Sequence, residues 1–272
     1  MDLHTISSVR RPARFEDAGG WEKGCAWLAG GTWLFSEPQV DVHTLIDLET
    51  LGWPSLTVTA EGLEIAATCR VVELDQFEAP AEWTAAPLFR ECCRSFLASF
   101  KIWNEATVGG NIVMSLPAGP MISLTAALEG VCTLWDRTGG VRTVPVTEFV
   151  TGNHQNVLQP GELLRSILLP SAALKKHHAF RRFTLTHLGR SETLVIGTLC
   201  PQSGEMRLTI TASTLRPIQL RFPVVPTADE LRAAIDTSVT DRDYLNDPHG
   251  SPAHRRQLTY FFSEEIRSQF PS

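Results

Sequence analysis

Two stretches carry residue types that could do chemistry. Ala106-Thr107-Val108-Gly109-Gly110-Asn111-Ile112-Val113 reads as an alternating apolar run broken by paired glycines and an asparagine. Near the start, Trp27-Leu28-Ala29-Gly30-Gly31-Thr32-Trp33-Leu34 has the same character, with two glycines and a hydroxyl residue. Glycine has no Cβ, so such pairs reach positive φ and let another group approach the backbone closely. Successive N–H groups in such a turn can converge on an anion. One loop of this kind is explained equally well by a tight turn between a helix and a strand. Two of them, one early and one mid-chain, point to a diphosphate held from two sides.

Other chemistries find less support. The six cysteines (Cys25, Cys69, Cys92, Cys93, Cys132 and Cys200) form no Cys-x-x-Cys pair and show no zinc or iron–sulfur spacing. They read as reduced, mostly buried thiols. The eight histidines are scattered, and no Ser–His–Asp or paired-carboxylate pattern stands out. A net charge of −6 without a long Lys/Arg run argues against nucleic acid and anionic membrane as partners. Met1 to Arg14 lacks the apolar core of a signal peptide, and no apolar run is long enough to span a bilayer, so the expected location is the cytoplasm.

The elements that must position these loops follow from periodicity. Residues 1 to about 55 read as a small α/β unit with short strands at Trp27–Leu28 and His43–Leu48. Leu56–Thr59 and Leu63–Ala66 flank Glu61-Gly62 as a hairpin. Pro87 opens a helix whose core stripe is Leu88, Phe89, Cys92, Phe96, Leu97 and Phe100. After the turn Pro117–Pro120 the pattern predicts a helix over Met121–Leu128, a hairpin around Arg137–Gly140, and a strand over Ser166–Pro170. Lys175-Lys176-His177-His178 reads as a solvated boundary, followed by three strands (Phe180–Thr184, Thr193–Leu199, Met206–Ala212) and helices over 229–236 and from Pro252 to about Gln269.

The order of these features resembles the FAD-binding (medium) subunit of the molybdenum hydroxylases, the xanthine and carbon monoxide dehydrogenase family. The motifs that carry the resemblance are Ala29-Gly30-Gly31-Thr32, Ala106-Thr107-Val108-Gly109-Gly110-Asn111, Pro117-Ala118-Gly119, Pro160-Gly161-Glu162-Leu163 through Pro170, and Ala179-Phe180-Arg181. It covers essentially the whole chain. The resemblance implies an α+β fold: a two-lobed, PCMH-type FAD-binding domain over 1–174 (lobes 1–54 and 55–174), then a small α+β domain over 175–272 with a three-stranded antiparallel sheet and helices. It implies FAD contacts from Leu28, Ala29, Gly30, Gly31, Thr32 and Trp33, and from Thr107, Gly110, Asn111 and Ser115. Backbone N–H groups of Gly30, Gly31, Thr32, Gly110 and Asn111 are expected on the pyrophosphate, with Leu164 near the adenine or ribose and Arg181 facing the flavin or its phosphates. Three positions depart from the family pattern: Trp33 replaces an acidic residue, Leu116 a serine, and Pro120 an aspartate.

The function so implied is electron transfer within a multi-subunit oxidoreductase. A large molybdopterin-binding subunit and a small [2Fe–2S] subunit would hold the other cofactors, and FAD here would pass electrons to NAD or another acceptor. The alternative is an FAD-free structural or assembly subunit derived from the same fold, which the three departures favour. A free-standing flavin reductase would need its own substrate acid and base. Trp21, Trp53, Trp83 and Trp103 are the candidates for subunit contacts or, equally, for core.

Overall fold

The computed structural model describes residues 4–186 and 189–271. The chain opens on a three-stranded parallel sheet of β1 (Ser8–Arg10), β2 (Cys25–Leu28) and β3 (Thr44–Asp47), in the order β1-β3-β2. The short β1 has no apolar run of its own, and its pattern does not predict it. The first glycine loop leaves the end of β2 directly, where Gly31 takes φ +67°, outside the strand region.

β4 (Leu56–Val58) and β5 (Gly62–Ala66) form the expected hairpin. Helices α1 (Val71–Asp75) and α2 (Pro87–Arg94) follow. α2 ends at Ser95, whose N–H bonds back to the Glu91 and Cys92 carbonyls. The chain restarts only as the single turn α3 (Phe100–Trp103), so the helical stripe loses phase. The expected core positions Leu97 and Phe100 are consequently 57% and 72% exposed. The second glycine stretch is also corrected. It is no strand or loop but the first turns of α4 (Val108–Met114), with Thr107 as N-cap, its hydroxyl oxygen accepting the Gly110 N–H at 3.0 Å. α5 (Pro120–Ala127) comes next, and all eight of its residues are buried. A helix apolar on every side belongs inside a protein.

β6 (Val131–Trp135) and β7 (Val141–Pro145) make the second predicted hairpin, and α6 (Val146–Phe149), β8 (Val150–Gly152) and β9 (Gln155–Asn156) lead to β10 (Leu163–Pro170). β10 is the centre of a five-stranded antiparallel sheet ordered β4-β5-β10-β6-β7. After the turn α7 (Ser171–Leu174), His177 and His178 are not a solvated linker but begin β11 (His177–Phe183). β12 (Thr193–Leu199), β13 (Met206–Thr211) and β14 (Ile218–Phe222) complete a four-stranded antiparallel meander. The expected three strands become four because Ile218–Phe222 alternates apolar and polar over only five residues, directly after Pro217. α8 (Ala228–Ser238) and α9 (Pro252–Gln269) close the chain at the predicted positions.

The two ends of the fold share β12. Leu194 and Ile196 on one face join the main core around α5, while Val195 and Leu199 on the other join the core under α9. Side chains alternate between the faces of a strand, so one strand is a wall of both cores.

Candidate functional site

The glycine loop after β2 and the start of α4 meet. A Cβ on Gly30 would lie 1.7 Å from the Glu105 carbonyl oxygen, so only glycine lets the two backbones touch here. Gly31 has φ +67°, in the left-handed region that favours glycine. Between the loop, the 95–98 turn, α3 and the first residues of α4 and α5 lies a cleft of ≈ 680 Å³, within the roughly 300–1,000 Å³ usual for small-molecule sites.

Nine of the twelve predicted site residues line this cleft: Leu28, Ala29, Gly30, Gly31, Thr32, Trp33, Thr107, Gly110 and Asn111. The N–H groups of Gly30, Gly31 and Thr32 donate to no acceptor among the described residues. On the α4 side the expectation needs correcting. The Gly110 N–H donates to Thr107 Oγ1 at 3.0 Å and the Asn111 N–H to the Thr107 carbonyl at 3.0 Å. These amides are engaged in their own helix. What this side can still offer is the Thr107 O–H and the side-chain amide N–H groups of Asn111. The Asn111 Oδ1 already accepts the Met121 N–H at 3.1 Å, which ties α4 to the first turn of α5.

Ser115, Leu164 and Arg181 lie outside the cleft lining. Ser115 is the left-handed C-cap of α4, fully buried, with its hydroxyl on the Ile112 and Val113 carbonyls. Leu164 is a core residue of β10, opposite Leu134 of β6. Arg181 turns towards α9, where it pairs with Glu265 at 2.9 Å and Gln269 at 3.1 Å. Its neighbour on β11, Arg182, points the other way and hydrogen-bonds Ser191 at the cleft margin. One residue of strand register separates the two outcomes.

Sequence reasoning missed Arg190 and Ser191, which enter the lining from the β11–β12 connection. It also missed Phe96, Leu97, Ile102 and Met114, which supply apolar wall. No motif marks 189–192, and only the three-dimensional return of β12 beside α5 brings it to the cleft. Among the described lining residues Arg190 is the one cation, and none is an aspartate or glutamate. The three departures from the family pattern, Trp33, Leu116 and Pro120, all line the cleft too. The Trp33 ring stacks obliquely on His154, 5.6 Å between centroids.

Behind the cleft, Trp27 Nε1 donates to the Glu162 carbonyl at 3.0 Å. The Glu162 carboxylate takes a two-pronged bond from Arg142 at 2.8 and 2.7 Å. That hydrogen-bonded pairing, against a smaller opposing effect of burial, holds Glu162 below the usual carboxylate range.

Residues 7–172 match the FAD binding domain in molybdopterin dehydrogenase. The chain belongs to this family. Xanthine dehydrogenase of rice is 28% identical over 122 residues, 43% of this chain and 9% of that enzyme. The caffeine dehydrogenase subunit beta of Pseudomonas sp. strain CBB1 is 28% identical over 171 residues, 60% of this chain and 55% of that subunit. The chain therefore spans a small part of the plant enzyme and about half of the bacterial subunit.

In fold it is similar to quinoline 2-oxidoreductase from Pseudomonas putida 86, with a TM-score of 0.80 at 20% identity, covering 99% of this chain and 98% of that one. A chain of carbon monoxide dehydrogenase from Oligotropha carboxidovorans gives 0.80 at 18% identity, covering 99% and 100%. The α+β architecture is that of these chains.

Proposed function

We propose that this chain is the FAD-binding electron-transfer subunit of a multi-subunit molybdenum hydroxylase. The observation that carries the reading is the cleft itself: three unsatisfied amides on the Gly30–Thr32 loop, no carboxylate among the described lining residues, and Arg190 as the cation. A diphosphate needs several N–H donors and an absence of negative neighbours, and backbone amides supply the donors with no side-chain entropy to lose. The apolar wall of Phe96, Leu97, Ile102 and Met114 suits flat aromatic rings. By these tests the residues present fit FAD.

Gly30, Gly31 and Thr32 would hold the diphosphate through their amides, with Thr107 and Asn111 adding side-chain donors and Arg190 balancing charge. When bound, FAD supplies the capacity to accept electrons singly or in pairs. The protein's part is to orient the cofactor, exclude water with its apolar wall and set the local charge. Large molybdopterin-binding and small [2Fe–2S] subunits are the partners this role requires, with NAD or another acceptor at the end of the path.

The test is the visible spectrum of the purified chain, with release of any chromophore by acid. Stoichiometric FAD is expected. Gly110→Val should abolish its uptake and lower the melting temperature by a few degrees at most, because a Cβ on Gly110 would lie 2.9 Å from the Thr107 hydroxyl, and that N-cap must shift to admit it. The second reading, an FAD-free structural subunit, draws on Trp33, Leu116 and Pro120 standing in the cleft wall where polar anchors are expected. A colourless chain that takes up no added FAD would sink the first reading and leave the second.

A further inference from the structure

The segment that delivers Arg190 to the cleft, residues 189–192, has no regular structure, yet it is fastened on both sides. The Gly189 carbonyl accepts from Arg182 Nη2 at 2.5 Å, and the Ser191 Oγ accepts from Arg182 Nε at 2.7 Å. The Glu192 N–H donates to the Phe183 carbonyl at 2.9 Å, and the Glu192 carbonyl accepts from Arg255 Nη1 at 2.5 Å. Arg182 stands on β11 and Arg255 on α9.

Arg255 is 1% exposed. Its other donors go to the Ala212 carbonyl at 2.8 Å, Asp247 Oδ1 at 2.6 Å and the Gly250 carbonyl at 3.2 Å. The Glu192 carboxylate is fully buried beside it, with Oε2 at 3.3 Å from His254 Nε2. A buried guanidinium is costly unless its donors are used, and here one of them holds the irregular segment while the others anchor Arg255 to Ala212, Asp247 and Gly250. Asp247 connects the groups. Burial alone would push its carboxyl up, but the charges of Arg255 and Arg190 and the His249 amide hold it below the usual range.

We infer that Arg182 and Arg255 are positioning residues: they fix 189–192 so that Arg190 stands in the cleft wall with the Gly30–Thr32 loop, and α9 thereby sets the cleft's affinity for an anionic dinucleotide. This rests on the proposed FAD site. The inference goes beyond it by placing control of that site in the C-terminal helix, outside the 7–172 region of the family match.

A double-mutant cycle on the full chain tests it, with FAD titrated and its fluorescence followed. Arg190→Ala should weaken binding about tenfold. Arg255→Lys and Arg182→Lys keep the charge but lose the fork, and each should weaken binding about fivefold. In the Arg190→Ala background the same two changes should cost less than about twofold, since their effect runs through a side chain no longer there. A merely structural role would give the same loss in both backgrounds, and that additivity overturns the inference, as would Lys variants with wild-type affinity. Arg182, less enclosed than Arg255, keeps the test decisive should Arg255→Lys not fold. No uptake by the wild-type chain overturns the functional reading itself and this inference with it; uptake with additive losses overturns the inference alone.

Discussion

Individual residues in this chain owe their types to what they touch. Gly109 is held by a backbone contact, since a Cβ there would lie 2.5 Å from Ala67, whereas Gly110 beside it faces the cleft. Paired glycines therefore do two separate jobs. The thiols divide in the same way. Burial pushes Cys93 and Cys132 up to about 12, and Cys69 and Cys92 up as well, while hydrogen bonds from Ser203 lower the more exposed Cys200. A thiol reagent at about pH 8 should accordingly find one prompt site per native chain, Cys200, with the other five of the six cysteines reacting only on unfolding. A Cys200→Ser variant that keeps its prompt reaction would contradict this. Glu162 makes a second prediction. Its carboxyl is depressed in the folded chain, so its stabilisation is complete above the unfolded value and is lost as pH falls through the folded one. Glu162→Gln should lower stability by about 1 kcal/mol near neutral pH, or roughly 2–4 °C in a chain of this size. The two melting curves should converge below about pH 4, in the acid range where carboxylates protonate. Curves that stay parallel through that acid range would assign the loss to packing instead.

At the scale of elements, legibility followed sequence distance. Both β-hairpins, α5, α8 and α9 could be read directly, because each carries its own period and its own punctuation: Glu61-Gly62, Arg137–Gly140, Pro120, the Thr227 cap and Ser251 before Pro252. The glycine loops could be read as a pair, and the fold does bring them into contact at Gly30 and Glu105. What they do to each other could not be read. The Gly110 and Asn111 amides are engaged because Thr107 begins a helix there. Whether a Thr-x-Gly-Gly run caps a helix or opens a turn depends on the Ala67 and Cys69 carbonyls that receive the Gly109 and Val108 N–H groups. Those acceptors lie some forty residues earlier in the chain. Arg181 and Arg182 show the same limit in a strand. Their types and place were plain, but the face each takes depends on a pairing with β12 that local pattern does not encode. The 189–192 segment carried no signal, since its role comes from Arg182 and Arg255, on other elements.

For the whole molecule, the decisive arrangement is the burial of α5 between the cleft helices and the C-terminal meander. Ser123 on α5 shares a 2.7 Å hydrogen bond with Thr211 at the end of β13, and Gln219 of β14 reaches the Ala126 carbonyl at 3.0 Å. Leu194 and Ile196 add two buried aliphatic side chains to the same core, worth together about 3–6 kcal/mol. Against a total stability of roughly 5–15 kcal/mol for a domain, that is no minor share. A chain ending at Leu174 should therefore be aggregation-prone, and its recovery as a monomer with an intact melting transition would refute the shared-core description. The order of synthesis gives that arrangement a further meaning. Residues leave the ribosome from the N-terminus at about 5–20 per second, so the glycine loops and α5 emerge well before the strand that covers them. For the several seconds this takes, α5 is apolar surface without a lid, and a pause in translation between Leu174 and Thr193 would prolong the interval. The nascent chain is then most in need of a chaperone just when its cofactor loops are already made, and a ribosome-release assay scanning stall sites across that interval would map the window.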